Sequence, residues 1–363
     1  MATTPRRWDI FCKVVDNYGD AGVSWRLARM LAREHGLDVT LWIDSPATLA
    51  RIAPQVPPCS TASGAGAVTV RQWTDPWPSA VPADVVVEAF GCGLPDDHVE
   101  AMAGQTPTPS WFILEYLSAE DWVESAHGLP SPHPRFVLAR RFWFPGFTPR
   151  TGGLLRERDL FARRDAFVAD ACAQAAFWSP LGIPPARPKA LRISLFCYPN
   201  PALPALLDAW SGGALPHAGG EPLVRGRLRL HSIPFVDQDA YDRLLWACDI
   251  NFVRGEDSFV RAQWASKPFV WHIYPQADNA HLPKLGAFLS RYGQGLDTVA
   301  TAAVDRFTRS WNGDPASPGI GDAWREFSAA RPRLVAHGQE WAERLAALPE
   351  LAAGLVTAAA ERV

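Results

Sequence analysis

One junction near the start of the chain constrains the fold most. The sequence VVDNYGDAGVSWRLAR, residues 14–29, joins an apolar run typical of a buried strand to a segment that predicts a helix beginning near Val23. The junction carries two carboxylates, Asp16 and Asp20, and two glycines that allow close backbone approach or positive φ. A strand, a polar turn and a helix form the basic unit of an α/β protein, in which small polar ligands bind at such junctions.

The same alternation continues through the first half of the chain. Short apolar runs predict strands at residues 8–15, 38–43, 67–73, 84–89, 110–115 and 141–144. With helical patterns between them, these runs indicate a parallel sheet that is covered on both faces. A charged, then helical, then proline-rich passage over residues 148–186 is a candidate interdomain linker.

A second α/β unit follows. Strands are predicted at residues 190–198, 227–234, 250–253 and 268–274, and helices at 202–210, 240–247, 259–266 and 280–292. We predict an N-terminal Rossmann-like domain over residues 1–165, with a C-terminal helix at about 340–363 packing back on it, and a C-terminal Rossmann-like domain over 180–335. Two such domains facing a central cleft form the GT-B fold of glycosyltransferases.

Composition limits the partners. The net charge is −3, and charged residues make up only 20% of the 363, so the sequence lacks the concentrated positive charge that nucleic acid or anionic membrane attracts. No apolar run reaches membrane-spanning length. Six scattered cysteines without a CxxC pair predict buried thiols in a reducing compartment. We therefore expect a cytoplasmic protein that binds a small molecule or another protein.

The strongest candidate site is the sequence NFVRGEDSFVRAQW, residues 251–264, where a buried strand meets a polar turn that opens a helix. Helix N-termini bind phosphates through unpaired N–H groups, and Arg254 adds a forked cation suited to a diphosphate. In the alternative interpretation, Asp257 or Ser258 caps the helix and Arg254 pairs with Glu256. The two interpretations are compatible, because one cap leaves other N–H groups free.

Aromatic residues follow the neighbouring strands. Phe196 and Tyr198 end the predicted strand at 190–198, and Phe235 follows the strand at 227–234. Each is a candidate for stacking on a nucleotide base, although aromatic side chains of this kind are also typical of a hydrophobic core.

The acidic pair of the first junction also has two interpretations. Asp16 and Asp20 are candidates for proton transfer at the carboxyl edge of the first strand. Alternatively, Asp16 forms the turn and Asp20 caps the helix. One cap suffices for one helix, and a second carboxylate beside it is repelled unless a cation or a proton lies between the two.

We predict no metal site. Asp237 and Asp239 match a DxD pattern that arises by chance, and Asp239 is expected to cap the next helix. His272 and His281 lack a third ligand at metal spacing. The chain also has no GxSxG, no P-loop, and no GxGxxG after its first strand, which argues against common hydrolases, P-loop NTPases and classical dinucleotide enzymes.

The longest motifs resemble one family. Residues 9–31 (DIFCKVVDNYGDAGVSWRLARML), 115–124 (EYLSAEDWVE), 193–198 (ISLFCY) and 251–276 (NFVRGEDSFVRAQWASKPFVWHIYPQ) are similar to the EarP family of bacterial protein-arginine rhamnosyltransferases. The resemblance spans nearly the whole chain. It implies a metal-independent, inverting GT-B enzyme that transfers L-rhamnose from dTDP-β-L-rhamnose to one arginine of elongation factor P, which helps ribosomes through consecutive prolines.

The resemblance also implies residue roles. Asp20 becomes the general base and Asp16 the group that grips the acceptor or orients the sugar, with the two roles exchangeable. Glu256 is expected to hydrogen-bond sugar hydroxyls or the acceptor guanidinium. The residues expected to bind the donor are Tyr18, Gly19, Phe196, Tyr198, Phe235, Gln238, Arg254, Asp257, Ser258 and Tyr274.

Two other functions compete with this one. The first is a GT-B enzyme with another nucleotide sugar and acceptor, and the second is a non-catalytic regulator that binds dTDP-sugars. Two acidic residues across the cleft from a phosphate-binding turn favour an enzyme, because binding an anion gains nothing from them. The candidate contacts for a protein acceptor are Glu115, Glu120 and Asp121, although their segment also fits a plain strand end followed by a helix.

Overall fold

The computed structural model describes residues 6–15, 18–55, 68–185, 187, 189–211 and 223–361. The chain divides into two compact units. The first comprises residues 1–160 together with 345–363, and the second comprises residues 161–344. For comparison, the boundaries predicted from the sequence are residues 1–165 together with about 340–363 for the first domain, and residues 180–335 for the second.

The first unit is built on a seven-stranded sheet. Its strands are β1 (Arg7–Cys12), β2 (Asp38–Ile43), β3 (Val68–Gln72), β4 (Val85–Ala89), β5 (Ser110–Leu114), β6 (Pro130–Pro132) and β7 (Ala139–Trp143). Its first helices are α1 (Gly19–His35), α2 (Pro46–Ile52), α3 (Asp96–Ala103) and α4 (Trp122–Ala126). The strand order is β3-β2-β1-β4-β5-β7-β6, and all neighbours are parallel except β6 and β7.

Side chains of β1 show how the sheet is covered. Ile10 and Cys12 pack into one hydrophobic cluster with α1, and Phe11 points to a second cluster that contains Trp42 and Val86. Successive strand residues face opposite sides, so both faces of the sheet are buried. The predicted doubly covered parallel sheet is therefore confirmed, apart from its short antiparallel edge strand.

The strand order of this sheet reverses between β1 and β4. In open α/β sheets, ligands bind outside the carboxyl ends of the strands at such a switch point. The segment that follows β1 and leads into α1 lies at this place.

The second unit contains a three-stranded parallel sheet among the described residues, in the order β12-β11-β8. Its strands are β8 (Ile193–Leu195), β11 (Ile250–Arg254) and β12 (Phe269–His272), and a separate antiparallel pair is formed by β9 (Leu223–Arg225) and β10 (Leu228–Leu230). The helices are α5 (Leu160–Ala169), α6 (Ala171–Trp178), α7 (Leu203–Ser211), α8 (Gln238–Ala247), α9 (Asp257–Trp264), α10 (His281–Tyr292), α11 (Thr298–Trp311) and α12 (Ile320–Ala346).

Two predictions for this unit need correction. The strand predicted at 227–234 is only the short β10, and it pairs with β9 instead of joining the parallel sheet. The passage predicted as a linker contains α5 and α6, and Trp178 at the end of α6 packs against Leu244 and Cys248. These apolar contacts make the helical part of the passage a component of the second unit.

The last helix, α13 (Leu351–Ala360), belongs to the first unit. Its residues Leu351, Leu355 and Ala359 join the cluster that covers one face of the sheet together with α1. Across the described ranges, the helices are too short or too polar to cross a membrane. Both units combine parallel strands with covering helices, so the predicted α/β fold class with two Rossmann-like units is confirmed.

Candidate active site

The turn between β11 and α9 is shaped by its glycine and by a buried tryptophan. β11 ends at Arg254, and Gly255 has a φ of 59°, a left-handed conformation that glycine adopts without a steric penalty. Trp271 of β12 donates a hydrogen bond from Nε1 to the Gly255 carbonyl over 2.8 Å, and its ring stacks on Phe259 of α9 at 3.9 Å. The start of α9 is therefore fixed against the neighbouring strand.

Ser258 ties this helix start to the strand end. The Arg254 backbone N–H donates to Ser258 Oγ over 3.1 Å, and the same hydroxyl donates to the Arg254 carbonyl. The N-cap residue of α9 is Glu256, so the alternative that Asp257 or Ser258 caps this helix is wrong. The Asp257 carboxylate instead accepts a hydrogen bond of 2.9 Å from Gln238 Nε2.

The Arg254 guanidinium lies over two aromatic rings. Its Cζ atom is 4.5 Å from the ring centroid of Phe196 and 4.5 Å from that of Tyr198. No carboxylate in the described ranges pairs with this guanidinium, and Glu256 pairs with Lys284 instead. The predicted alternative of an Arg254–Glu256 pair is therefore wrong. Cation–π contacts orient the guanidinium and leave its N–H donors for an anionic ligand.

Aromatic side chains follow two of the three strands of this sheet. Tyr198 follows β8 and meets the ring of Tyr274, which follows β12, edge to face at a centroid distance of 5.5 Å. Tyr274 is 50% exposed, and Phe235, which precedes α8, is 44% exposed. Parallel strands bring their carboxyl ends to one edge of a sheet, and Phe196, Tyr198, Arg254 and Tyr274 meet there, while their role in donor binding stays a prediction.

Two polar pairs hold α9 against α8. Gln238 contacts Asp257, and four residues further along both helices Asp242 accepts two hydrogen bonds of 2.9 and 2.7 Å from Arg261. Asp242 and Arg261 are each only 1% exposed. Buried charges need such bidentate pairing, and breaking one side of the pair is costly. The sequence analysis missed this pair, because its two residues lie on different helices and no local spacing relates them.

The positive charge around the start of α9 comes from arginine and lysine side chains. Burial, with the charges of His281 and Arg254, lowers the pKa of His272 to about 4, so this imidazole is neutral at pH 7. Burial raises the pKa of Tyr241, whose ring packs edge to face on Phe196. Lys284 on α10 supplies a second cation, 3.3 Å from Glu256 Oε1, and the sequence analysis did not predict it.

The first unit presents a different junction. α1 begins at Gly19 and not near Val23 as predicted, and Asp20 stands in its first turn. Asp20 is 2% exposed, and its Oδ2 accepts a hydrogen bond of 2.8 Å from the Val15 backbone N–H. The N-cap residue is Tyr18, so the alternative that Asp20 is the cap is wrong. Asp16, predicted as its catalytic partner, lies outside the described residues.

A second carboxylate also holds this junction. Asp44, which follows β2, accepts a hydrogen bond of 3.0 Å from the Val14 backbone N–H. Asp20 and Asp44 thus fix two consecutive residues of the segment that precedes Asp16. Gly19 and Gly22 lie within α1, whose backbone has negative φ, so positive φ is wrong for them, and the alternative of close backbone approach stays a prediction.

Two predicted donor contacts, Tyr18 and Gly19, belong to this junction in the first unit. The Tyr18 ring packs on the core cluster and lies 5.6 Å from the Arg51 guanidinium. The other predicted donor contacts, including Phe235 and Gln238, belong to the second unit.

The predicted acceptor segment follows β5. Glu115 stands at the strand end, where burial and the nearby charge of Glu88 raise its pKa. Glu120 accepts a hydrogen bond of 3.0 Å from Ser118 Oγ, and Asp121 is the N-cap residue of α4. Trp122, the first residue of α4, is 52% exposed. The segment thus forms a strand end and a helix, and it also presents acidic and aromatic groups.

The DxD pattern has a structural role at Asp237. Its carboxylate accepts a hydrogen bond of 2.7 Å from the Ala240 N–H and caps α8. The prediction that Asp239 is the cap is therefore wrong, because Asp239 already lies in the first turn. Among the described residues, no group of three or more His, Cys, Asp or Glu side chains is arranged to hold a metal ion.

Comparison with known proteins gives one consistent result. The family model described as "Elongation-Factor P (EF-P) rhamnosyltransferase EarP" matches residues 8–218 and 213–360. A protein-arginine rhamnosyltransferase of Pseudomonas putida is 49% identical over 96% of this chain and 97% of its own length. One of Pseudomonas aeruginosa is 45% identical, over the same shares. A solved structure described as the structural basis for EarP-mediated arginine glycosylation of elongation factor EF-P is 37% identical, with a TM-score of 0.66 over 97% of both chains.

Proposed function

The chain belongs to the EarP family of elongation factor P rhamnosyltransferases, and from this we propose that it transfers L-rhamnose from dTDP-β-L-rhamnose to an arginine side chain of elongation factor P. The observation that carries the donor half of the proposal is Arg254, held over the rings of Phe196 and Tyr198 beside the start of α9. A forked cation next to unpaired helix N–H groups binds a diphosphate, and the adjacent rings offer stacking surfaces for thymine.

The proposed donor site has two parts, one that binds the diphosphate and one that binds the thymidine. Arg254, the α9 start at Ser258 and the Tyr274 hydroxyl bind the diphosphate. Phe196, Tyr198, Phe235 and Gln238 hold the thymidine, while Asp257 positions Gln238 through their hydrogen bond. Tyr18 and Gly19 complete the donor contacts from the first unit. These assignments account for a nucleotide with two negative charges and one aromatic base.

The acceptor chemistry requires a carboxylate. An arginine guanidinium is protonated in water, with a pKa above about 12, and must lose a proton as its nitrogen forms a bond. We assign Asp20 as the general base and Asp16 as the group that grips the guanidinium or orients the sugar. Glu256 hydrogen-bonds the sugar hydroxyls or the guanidinium.

The transfer is a single displacement in this proposal. The guanidinium nitrogen attacks C1 of the rhamnose, the bond between C1 and the diphosphate oxygen breaks, and dTDP leaves with the electron pair. The proton passes from the nitrogen to Asp20, and the configuration at C1 inverts. Arg254 and the N–H groups of α9 stabilise the charge on the leaving diphosphate, so the proposed reaction uses no metal ion.

The acceptor is recognised as a folded protein. A single arginine offers little binding area, whereas specific complexes bury on the order of 1,200 Å² or more in total. Glu115, Glu120 and Asp121 of the first unit are proposed contacts. Because elongation factor P acts in translation, we place the reaction in the cytoplasm, where the modification relieves stalling at consecutive prolines.

Intact mass of purified elongation factor P tests the proposal. Incubation with the enzyme and dTDP-β-L-rhamnose should add one rhamnose, and a variant of the acceptor lacking the target arginine should stay unmodified. Separate reactions with other dTDP-sugars identify a different donor if one is used. Binding of dTDP-sugars without any transfer to the acceptor would instead support a regulatory protein. A short arginine peptide should be a poor acceptor compared with the folded protein.

A further inference from the structure

The segment that follows β4 holds a phenylalanine in a backbone conformation that favours glycine. Phe90 has a φ of 58°, in the left-handed region that large L-residues rarely adopt. Gly91 and Gly93 are left-handed as well, with φ values of 59° and 70°, but glycine carries no steric penalty there. A strained residue such as Phe90 persists only where its surroundings fix it.

Hydrogen bonds to neighbouring strands fix this segment. The Phe90 N–H donates over 2.6 Å to the carbonyl of Leu114, the last residue of β5. The buried carboxylate of Glu88 accepts hydrogen bonds of 2.8 Å from the Gly93 N–H and 3.1 Å from Trp111 Nε1. The segment is therefore anchored on both sides of Phe90, and the direction of the Phe90 side chain is set by the fold.

This backbone places Phe90 in a stacked aromatic pair. The centroid of its ring lies 4.6 Å from that of Tyr116, the second residue after β5, and the interplanar angle is 20°. Phe90 is half-buried, whereas Tyr116 is 37% exposed. Tyr116 is thus the more accessible ring of the pair, and Phe90 supports it from one side.

The aromatic pair stands at the carboxyl edge of the sheet, close to the acidic junction of α1. β1 pairs with β4 and β4 pairs with β5, so the residues that follow these three strands are neighbours at this edge. Glu115, between β5 and Tyr116, adds a half-buried carboxyl group. Burial and the nearby charge of Glu88 raise the pKa of Glu115, and a cation bound beside it would offset both effects.

The other side of β1 carries a cation of the protein itself. Lys13, which follows β1, has its Nζ 4.6 Å from the ring centroid of Trp73, which follows β3. In the strand order, β3 lies on one side of β1, and β4 and β5 lie on the other. The carboxyl edge therefore pairs a cation with an aromatic ring on the β3 side, and it offers carboxyl groups beside an accessible ring on the β4–β5 side.

We propose that the ring of Tyr116 binds the acceptor arginine, whose guanidinium stacks on it and pairs with Glu115, and that Phe90 positions this ring. The inference rests on the proposed function and names the group that holds the acceptor side chain for Asp20. A guanidinium is a planar cation that stacks well on aromatic faces. Stacking uses its face and leaves the N–H groups in its plane for carboxylates.

Calorimetric titrations with elongation factor P, and with its variant in which the target arginine is replaced by alanine, test this contact. Tyr116→Leu should weaken binding of the unmodified acceptor about 10-fold, the scale of a partly desolvated cation–π contact. It should bind the alanine variant as the parent protein does, because no guanidinium remains to be stacked. This difference measures the coupling between the two side chains.

Two further variants separate the ring from its support. Tyr116→Phe keeps the aromatic face and should stay closer to the parent than Tyr116→Leu. Phe90→Asn removes the supporting ring but places a residue that tolerates the left-handed conformation, and it should weaken binding about threefold. In turnover assays, Tyr116→Leu should raise the KM for elongation factor P more than it lowers kcat.

Three results would overturn the proposal. If Tyr116→Leu weakens binding of both acceptors equally, Tyr116 contacts another part of the acceptor. If Tyr116→Leu binds the unmodified acceptor like the parent, the ring has no role in binding. If its melting temperature falls and the affinity per folded molecule is unchanged, the role is structural.

A matched control removes an aromatic ring from the opposite edge of the same sheet. Phe136 stacks on His133 at a centroid distance of 5.3 Å, in the segment that precedes the parallel strand β7. Phe136→Leu should bind the acceptor like the parent. Failure of the parent protein to modify elongation factor P would count against the proposed function itself. Modification by the parent, with an unchanged KM in Tyr116→Leu, would count only against this inference.

Discussion

The β1–α1 junction of the first unit and the β11–α9 junction of the second unit share one topology and differ in the side chains that stand around the helix start. In both, a buried parallel strand ends, a short turn follows, and a helix begins at the carboxyl edge of the sheet. In α1 the first turn holds the buried carboxylate of Asp20. In α9 the acidic N-cap residue Glu256 is paired with Lys284, and Arg254 stands beside the helix start.

The difference indicates that the shared topology determines where a ligand binds, whereas the charges of the side chains at the helix start determine which ligand binds. A helix start that is occupied by its own carboxylate offers negative charge, which suits a cationic guanidinium. A helix start that is flanked by a forked cation such as Arg254 suits a diphosphate. The two reactants of the proposed transfer, an arginine and a nucleotide diphosphate, have these two charges.

The largest expected effect is on turnover, and it comes from substitution of Asp20 in the β1–α1 junction. Asp20→Asn should lower turnover about 100-fold or more, because an amide cannot accept the proton in the transition state. Affinity for dTDP should change less than about twofold. The variant should fold, since the asparagine oxygen can still accept the hydrogen bond from the Val15 N–H. Turnover and calorimetry on the same preparation measure both quantities.

Asp44→Asn is the matched control for this variant, because Asp44 likewise accepts a backbone hydrogen bond after β1 and is not assigned a proton. Its turnover should stay within a few-fold of the parent. Asp16→Asn should also impair turnover, with a larger effect on the KM for elongation factor P. If the folded Asp20→Asn protein retained most of its activity, Asp20 would have only a structural role.

Substitution of Arg254 in the β11–α9 junction should change the affinity for dTDP. Arg254→Ala should weaken dTDP by about 2 kcal/mol, or roughly 30-fold, the scale of a charge-assisted hydrogen bond together with lost charge pairing. Arg306→Ala, which removes an exposed arginine paired with Glu326 in the same unit, should bind dTDP normally. Unchanged affinity in folded Arg254→Ala would show that the nucleotide binds away from this turn.

The sequence predicted the strands of both junctions because short apolar runs between turns are a local signal. It placed the start of α1 four residues too late, since Gly19 and Gly22 have low helix propensity and the tertiary packing of α1 overrides it. The roles of Asp20 and Asp16 follow from family resemblance and stay predictions.

The features that the sequence could not reveal depend on contacts between distant residues. The pairing of Glu256 with Lys284 joins residues 28 positions apart, and the Asp242–Arg261 pair joins two helices. Nothing in the local pattern distinguishes a glutamate that caps its helix, such as Glu350, from one that does not, such as Glu256. The backbone decides which of the two occurs: Glu350 is extended, with a φ of −86° and a ψ of 138°, whereas Glu256 has a φ of −111° and a ψ of −48°.

A smaller effect should appear at Glu350, the glutamate that does cap its helix. Burial raises the pKa of this carboxyl to about 7, from an ordinary value near 4.5, despite its hydrogen bonds to α13. The folded protein therefore binds more protons than the unfolded chain between these values, and stability from this group falls as pH rises from about 4.5 to 7. Relative to Glu350→Gln, the free energy of unfolding should fall by no more than about 2 kcal/mol over this range.

Denaturant unfolding of both proteins at pH 5, 6 and 7 measures this difference. Glu256→Gln is the matched comparison, because its carboxyl is paired with Lys284 and does not cap a helix. Its unfolding free energy should follow that of the parent at each pH. Equal pH dependence for parent and Glu350→Gln would show that the buried cap is not the titrating group.

The smallest expected effect is that of chelation. In the proposed mechanism, Arg254 and the N–H groups of α9 carry the charge of the leaving diphosphate, so added EDTA should change turnover by less than about twofold. Asp237, the first residue of the DxD pattern, already accepts a hydrogen bond from the Ala240 N–H. Activity that is lost in EDTA and restored by magnesium or manganese would revive Asp237 and Asp239 as ligands. It would also mean that Arg254 and the N–H groups of α9 are insufficient for departure of the diphosphate. The contrast between the β1–α1 and β11–α9 junctions would then account for binding of the two reactants but not for catalysis.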